Sequence, residues 1–273
     1  MSIFKRIKTK YLIVIVIGAS FLCVFLIPIE EEVSEGINAI LGIVGLLFAI
    51  LVGFFITDLW SRYQRIRENV AVEVSGLQTY YLFVQVLGKS SHHKEWAKKQ
   101  QELIDKYIRE FFYVEWSDYG KIDPYFNVII ESLKEMKELK TNQENETYSN
   151  ILPILNEITT SREKLFIYGK DKLSKMEWIV VLFLSAILIF SIFLIRTSDL
   201  PSLFLSGTLI STVIILLLIL RDLNDLSFGE GMVSFEPYET IFDVIGKSRF
   251  YLKRDIKTGR VVPPKGIKYR VGK

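Results

Sequence analysis

One cysteine, Cys23, stands in a chain of 273 residues, so no intrachain disulfide can form and a disulfide-stapled secreted scaffold is excluded. Histidine is almost as scarce: there are two, the adjacent His92 and His93. Structural zinc sites and Ser-His or Cys-His triads need His and Cys sets that this pair does not supply. No phosphate-binding loop, activated nucleophile or paired-acid motif is visible, so no enzyme activity and no cofactor are expected. Charge of one sign is also lacking: 34 basic against 31 acidic residues leave a net +3, which gives no reason to expect a nucleic-acid partner. With 50% apolar residues the chain is not disordered, and with 16 glycines and 7 prolines it is not collagen-like.

What is present is concentrated hydrophobicity. The mean hydropathy is +0.29 although 24% of residues are charged, so apolar residues are gathered into runs. Four runs contain no Asp, Glu, Lys or Arg: 11–29, 37–57, 178–195 and 203–220. A bilayer-spanning helix takes about 20 residues, so each run is long enough to cross. The first is too long for a signal-peptide core and no small-residue cleavage site follows it. Bulky Phe21 and Leu22 precede Cys23, which reads as an apolar lining residue.

Basic residues near the span ends set orientation. Lys5, Arg6, Lys8 and Lys10 precede the first span, and Arg62, Arg65 and Arg67 follow the second. Glu30, Glu31, Glu32 and Glu35 lie between those two spans, with no Lys or Arg; Arg196 alone lies between the third and fourth. The expected topology is multi-pass in the plasma membrane with both termini cytoplasmic. The organisation follows: a transmembrane hairpin over 1–57, a cytoplasmic helical domain over 58–177, a second hairpin over 178–222 and a basic tail over 223–273. The expected fold class is all-α.

The segment 58–176 carries 18 basic and 18 acidic residues, as expected of a water-exposed block. Neither Pro nor Gly occurs between Gly53 and Gly76, so the second span is expected to continue as one helix. Another helix is expected from about Ser91, with Trp96, Leu103, Tyr107, Phe111 and Val114 as its apolar stripe. Asp123 and Pro124 mark the next start, as cap and first-turn residue, for a helix reaching about Lys140. Residues 141–150 read as a polar loop, and Asn150 with Pro153 as the start of a last helix that bends near Gly169. The Asn145-Glu146-Thr147 sequon reads as chance.

From the second span onward the residues resemble the bestrophin-like family of prokaryotic four-span membrane proteins. The likeness rests on Trp60, Arg62, Arg65, Arg67, Val70 and Glu73 at the end of that span, then Tyr107, Glu115-Trp116 and Arg162. Past the fourth span it rests on Asp225, Phe228 and Gly231, then on Val233-Ser234-Phe235-Glu236-Pro237-Tyr238, with Ser227 where the family has proline. A thinner likeness, to the pentameric bestrophin anion channels, lies in Gly53, Phe54, Thr57, Arg62 and Tyr63, and in Phe228-Gly229-Glu230. It implies a homo-oligomer, a pentamer, with Leu46, Ile50 and Phe54 as pore lining. The acidic run that helps calcium bind in those channels is replaced by Gly231, Met232 and Val233, so no calcium clasp is expected.

Leu46, Ile50 and Phe54 share one helix face, where they either form a hydrophobic constriction or face lipid. Gly42, Gly45, Ala49 and Gly53, continued by Thr57, form a small-residue stripe expected to serve helix packing. Arg62, Arg65 and Arg67 form either an inner vestibule attracting anions or an ordinary positive-inside cluster paired with Asp58 or Glu68. Asp222 and Asp225 are expected to pair with Arg221. The His92-His93 pair is expected near a helix start, without metal. Residues 247–273 carry 10 basic residues and one acid, Asp255, so the tail lies on anionic lipid, wraps a neighbouring subunit or is solvated. The expected partners are the lipid bilayer, further copies of the chain and inorganic anions. Two functions stay open: an anion channel, and a non-conducting membrane protein whose helical domain binds a partner or senses a signal.

Overall fold

The computed structural model describes residues 9–26, 35–226, 236–257, 261–263, 266 and 268–272. The chain divides into two units: Met1–Ser61 with Lys172–Phe228, and Arg62–Asp171 with Gly229–Lys273.

The first unit contains α1 (Thr9–Leu26), the leading part of α2 (Glu35–Leu87), α6 (Lys175–Ile195) and α7 (Leu200–Asn224). Three of these helices, α2, α6 and α7, are long and apolar enough to cross a membrane; Leu12–Leu26 forms a shorter apolar helix. In α2 the uncharged membrane segment ends at Thr57, and Asp58 begins the charged continuation. Ser174 opens α6 through a capping box, its hydroxyl accepting from the Glu177 amide while the Glu177 carboxylate accepts from the Ser174 amide. Asp199 caps α7, with Pro201 in its first turn. The short α6–α7 connection is tied down by Arg196, whose buried guanidinium donates to the Val24 carbonyl near the end of α1 at 2.9 Å. In the last turn of α7 Arg221 pairs with Asp222 at 2.7 Å, as expected, whereas Asp225 pairs with Lys172 at 3.4 Å. The residues 27–34, with Glu30, Glu31 and Glu32, lie outside the described residues.

The second unit is built from the continuation of α2, α3 (Lys94–Phe111), a 3-10 segment (Trp116–Ile122), α4 (Asp123–Glu131), a 3-10 turn (Ser132–Glu135), α5 (Asn142–Lys170) and α8 (Glu236–Val244). Helix α2 runs unbroken through Gly76, as the absence of breakers predicts; Gly76 allows α5 to approach, since a Cβ there would lie 2.6 Å from Ile158 Cγ1. Trp96, Tyr107 and Phe111 on the predicted α3 stripe are buried.

Three expectations are corrected in this unit. The α4 helix stops at Glu131 rather than near Lys140. Residues 142–150 are helix rather than polar loop, because Thr141 and Glu144 form a reciprocal capping box that starts α5 well before Asn150. Pro153 therefore sits inside α5, where it removes one main-chain donor and does not end the helix.

The fourth correction concerns the tail. Residues Arg249–Leu252 (β1) pair in parallel with Tyr269–Gly272 (β2), with Arg249 opposite Tyr269 and Leu252 opposite Gly272, and the short helix α9 (Lys253–Lys257) follows β1. The fold is thus nearly all-α rather than all-α. Just past the end of α8, Gly246 has a φ of +68° that suits glycine, and the Lys247 amide reaches back to the Phe242 carbonyl at 2.8 Å. Three of the tail's basic side chains are engaged within its own unit: Arg270 donates to buried Asp105 at 2.5 and 2.9 Å, Arg249 to Asp243 at 2.7 Å, and Lys247 to Glu102 at 2.5 Å. These side chains are not those of a solvated tail.

Candidate functional site

Within the membrane unit α2 has two distinct faces. Phe48, Val52, Phe55 and Leu59 recur at helical spacing and are buried in a core shared with Leu188 on α6 and Val213 on α7. At about 100° per residue, Leu46, Ile50 and Phe54 fall on the opposite side. They are 62, 62 and 67% exposed, and Ile43 and Leu47 beside them are exposed too. Burial of one side and exposure of three large apolar groups on the other leaves this face for lipid, a pore or another copy.

The small-residue stripe lies between these faces. Of its three glycines Gly45 approaches a neighbour in the chain: a Cβ there would sit 3.7 Å from Leu188 Cδ1, while none at Gly42 or Gly53 would meet an atom within 4 Å. Gly42, Ala49 and Gly53 are exposed, so the packing within the chain is carried by the larger Phe48–Leu59 set.

The three arginines separate. Arg62 is buried and does not line an open surface; its Nε donates to the Tyr168 carbonyl at 2.7 Å and its Nη2 to the Gly169 carbonyl at 3.2 Å. These carbonyls belong to the last turn of α5, where intrahelical partners run out and a cation is favoured. Gly169 itself is required there, because a Cβ would stand 2.3 Å from the Trp116 carbonyl oxygen. Arg65 and Arg67 are exposed, with their guanidinium carbons 5.3 Å from the Tyr168 ring centre and 5.9 Å from that of Tyr63. The histidines also part: His93 is buried just before α3, and His92 meets Lys140 at 2.7 Å.

Farther along α2 a second site appears. Glu73 is fully buried, and side chains from four other segments close on its carboxylate. The Tyr119 hydroxyl, from the 3-10 segment, donates to Oε2 at 2.6 Å, and so does that of Tyr238 from α8. On Oε1 the Tyr107 hydroxyl of α3 donates, and Arg162 Nη1 of α5 lies at 3.4 Å. Arg162 also donates to the Tyr107 oxygen, and through Nη2 to Asp123 at 2.6 Å. Its guanidinium lies over Phe126, 4.4 Å from the ring centre. Three hydroxyls and a guanidinium match the roughly four acceptor positions of one carboxylate.

Burial pushes the Glu73 carboxyl above the ordinary carboxylate value; Arg162 and the Tyr119 and Tyr238 hydroxyls oppose it. Burial, then the Glu73 charge, push the Tyr119 and Tyr238 hydroxyls well up. Burial pulls the Arg162 guanidinium down, against Glu73 and Tyr238, which hold it up. Burial and Glu73 raise Asp123, which is half exposed.

Glu73, Tyr107, Arg162 and Tyr238 are four of the positions that carry the family resemblance, and the fold brings them to one point. Sequence reasoning placed Tyr107 on an apolar helix stripe and gave the other three no role. Tyr119 and the engagement of Asp123 were missed altogether: Asp123 read as a helix cap, but its carboxylate faces Arg162 and makes no cap bond. The motif positions 227–235, with Ser227, Phe228, Gly229, Glu230 and Gly231, lie outside the described residues.

A family model described as a bestrophin-like domain matches residues 11–227, most of the chain. No curated protein and no solved structure matches it.

Proposed function

The chain belongs to the bestrophin-like family, and on that premise we propose that it is a homo-oligomeric membrane channel for inorganic anions, with α2 lining the pore. The observation that carries this reading is the two-faced α2: one side locked into the bundle, the other presenting Leu46, Ile50 and Phe54 outward in register. In a ring of copies, a pentamer by the resemblance, these three rows form stacked apolar constrictions that gate by dewetting. The exposed Gly42, Ala49 and Gly53 stripe is then the flank on which neighbouring copies close. Arg65 and Arg67, exposed at the end of the span, supply the inner positive field, while Arg62 anchors α5. The reading includes four spans, α1 among them, and both termini in the cytoplasm.

The test is chloride release from liposomes holding the purified chain, compared with Phe54→Ala. Truncation widens and wets the constriction, so flux rises. No flux above empty liposomes from either protein, across a range of pH and calcium, contradicts conduction and favours a non-conducting membrane protein whose helical unit docks a partner.

A further inference from the structure

The Glu73 centre is more than a buried ion pair, because its cation is divided between two carboxylates in different surroundings. Arg162 Nη2 holds Asp123 at 2.6 Å, and Asp123 is half exposed; Arg162 Nη1 reaches Glu73 at 3.4 Å, and Glu73 has no exposure at all. The guanidinium is therefore bound more closely to the solvent-side partner than to the buried one. The buried partner is also held by Tyr107, Tyr119 and Tyr238, the last two of which make no hydrogen bond with the guanidinium, so it keeps its place when Arg162 moves.

We propose that Glu73, Arg162 and Asp123 form a proton-operated fork, in which a proton on the Glu73 carboxylate hands Arg162 over to Asp123 and loosens the tie between α2 and α5. The balance is simple: one proton from solvent binds one carboxylate oxygen, Arg162 keeps its own proton, and no bond between heavy atoms changes. The neutral carboxyl stays among its three phenols, each of which can accept as well as donate. The released guanidinium retains a full ion pair, because Asp123 is already in contact.

The titratable and charged groups facing Glu73 are Tyr107 from α3, Tyr119 from the 3-10 segment, Arg162 from α5 and Tyr238 from α8. Asp123 from α4 acts through Arg162. Burial, then the Glu73 charge, push the Tyr119 and Tyr238 hydroxyls well up, so these two phenols stay neutral while Glu73 exchanges its proton. Burial holds the Glu73 carboxyl above the ordinary carboxylate value, against Arg162 and the phenols, so on acidification it takes its proton before an exposed carboxylate does. The Ser161 hydroxyl, bonded to the Asn69 carbonyl at 2.6 Å, keeps α5 beside α2 during the exchange, so the motion is a loosening and not a dissociation. The fork does not depend on the channel reading.

Infrared spectroscopy of the full chain in detergent between pH 8 and pH 5 reads the proton directly, through the carbonyl stretch of a neutral buried carboxylic acid. One such band is expected to grow on acidification and to be missing in Glu73→Gln. In Asp123→Asn the guanidinium is left to Glu73 alone, so the midpoint falls by about one pH unit, a tenfold change in proton affinity. In Tyr238→Phe, which removes one donor and keeps the ring, the midpoint rises by a similar amount. The proposal is overturned if no band appears before the protein unfolds. It is equally overturned if the band survives in Glu73→Gln, or if the midpoint is the same in Asp123→Asn and Tyr238→Phe as in the natural sequence.

Discussion

Replacing Arg162 by Met removes the cation of the buried centre while keeping a chain of similar length. Glu73 is then left fully buried with three phenolic donors and no counter-charge. At 3.4 Å and an effective dielectric constant near 20, the lost attraction is on the order of 5 kcal/mol. Breaking one side of a buried pair costs about 3–5 kcal/mol in general. A loss of about 3 kcal/mol at pH 7.5 is expected, at the lower end because Glu73 escapes part of it by taking a proton. The sign with pH follows. Glu73 already sits above its unfolded value of 4.5, and loss of Arg162 raises it further. A group shifted that way contributes stability below its unfolded value, lost as pH rises through the folded value. The Arg162→Met deficit must therefore shrink on acidification. Glu73→Gln added to Arg162→Met removes the stranded charge and recovers most of the loss, whereas Glu73→Gln alone costs less, since Arg162 keeps Asp123. The assay is unfolding in mild detergent followed by circular dichroism, from pH 5 to pH 8. A loss under about 0.5 kcal/mol for Arg162→Met, a deficit flat in pH, or no recovery in the double variant refutes the reasoning.

Arg62→Ala orphans the Tyr168 and Gly169 carbonyls and should cost about 2–4 kcal/mol in the same assay, far more than Arg65→Ala, whose side chain is exposed. Gly169→Ala drives a methyl group into the Trp116 carbonyl and should cost about 2 kcal/mol or more, and an unchanged midpoint would show that α5 and the 3-10 segment do not meet there. Thr141→Ala removes half of the α5 capping box; about 1 kcal/mol is expected, with slower amide exchange in residues 142–146 as the result that would contradict it.

Much of the architecture was legible because it rests on long, one-dimensional signals. An uncharged run such as 178–195 needs no partner to be recognised, and the unbroken α2 follows from the lack of Gly and Pro between Gly53 and Gly76. The pore-face candidates were legible as a stripe, though their exposure depends on which other side of α2 the bundle claims. Contacts between distant segments were not legible. Arg62 reads as one of three equivalent arginines until α5 ends beside it. Glu73 is one motif position among several until Tyr107, Tyr119, Arg162 and Tyr238 arrive from positions up to 165 residues away. The strands β1 and β2 were hidden because each is four residues long and pairs across a connection rich in charge. The Thr141–Glu144 box is a local signal that was present, but the polar composition of 141–150 outweighed it.

The single natural cysteine makes the most direct measurement simple. With Cys23 replaced by Ser, one new cysteine is placed at Leu46, Ile50, Phe54 or the exposed Phe183 of α6, and each variant in liposomes is exposed to a membrane-impermeant, water-soluble thiol reagent. The account predicts that cysteines at 46, 50 and 54 react and that the one at 183 does not, since only the former line a water-filled path. Equal silence at all four positions, with all four open to a lipid-soluble thiol reagent, would place this face of α2 in the bilayer and contradict the pore.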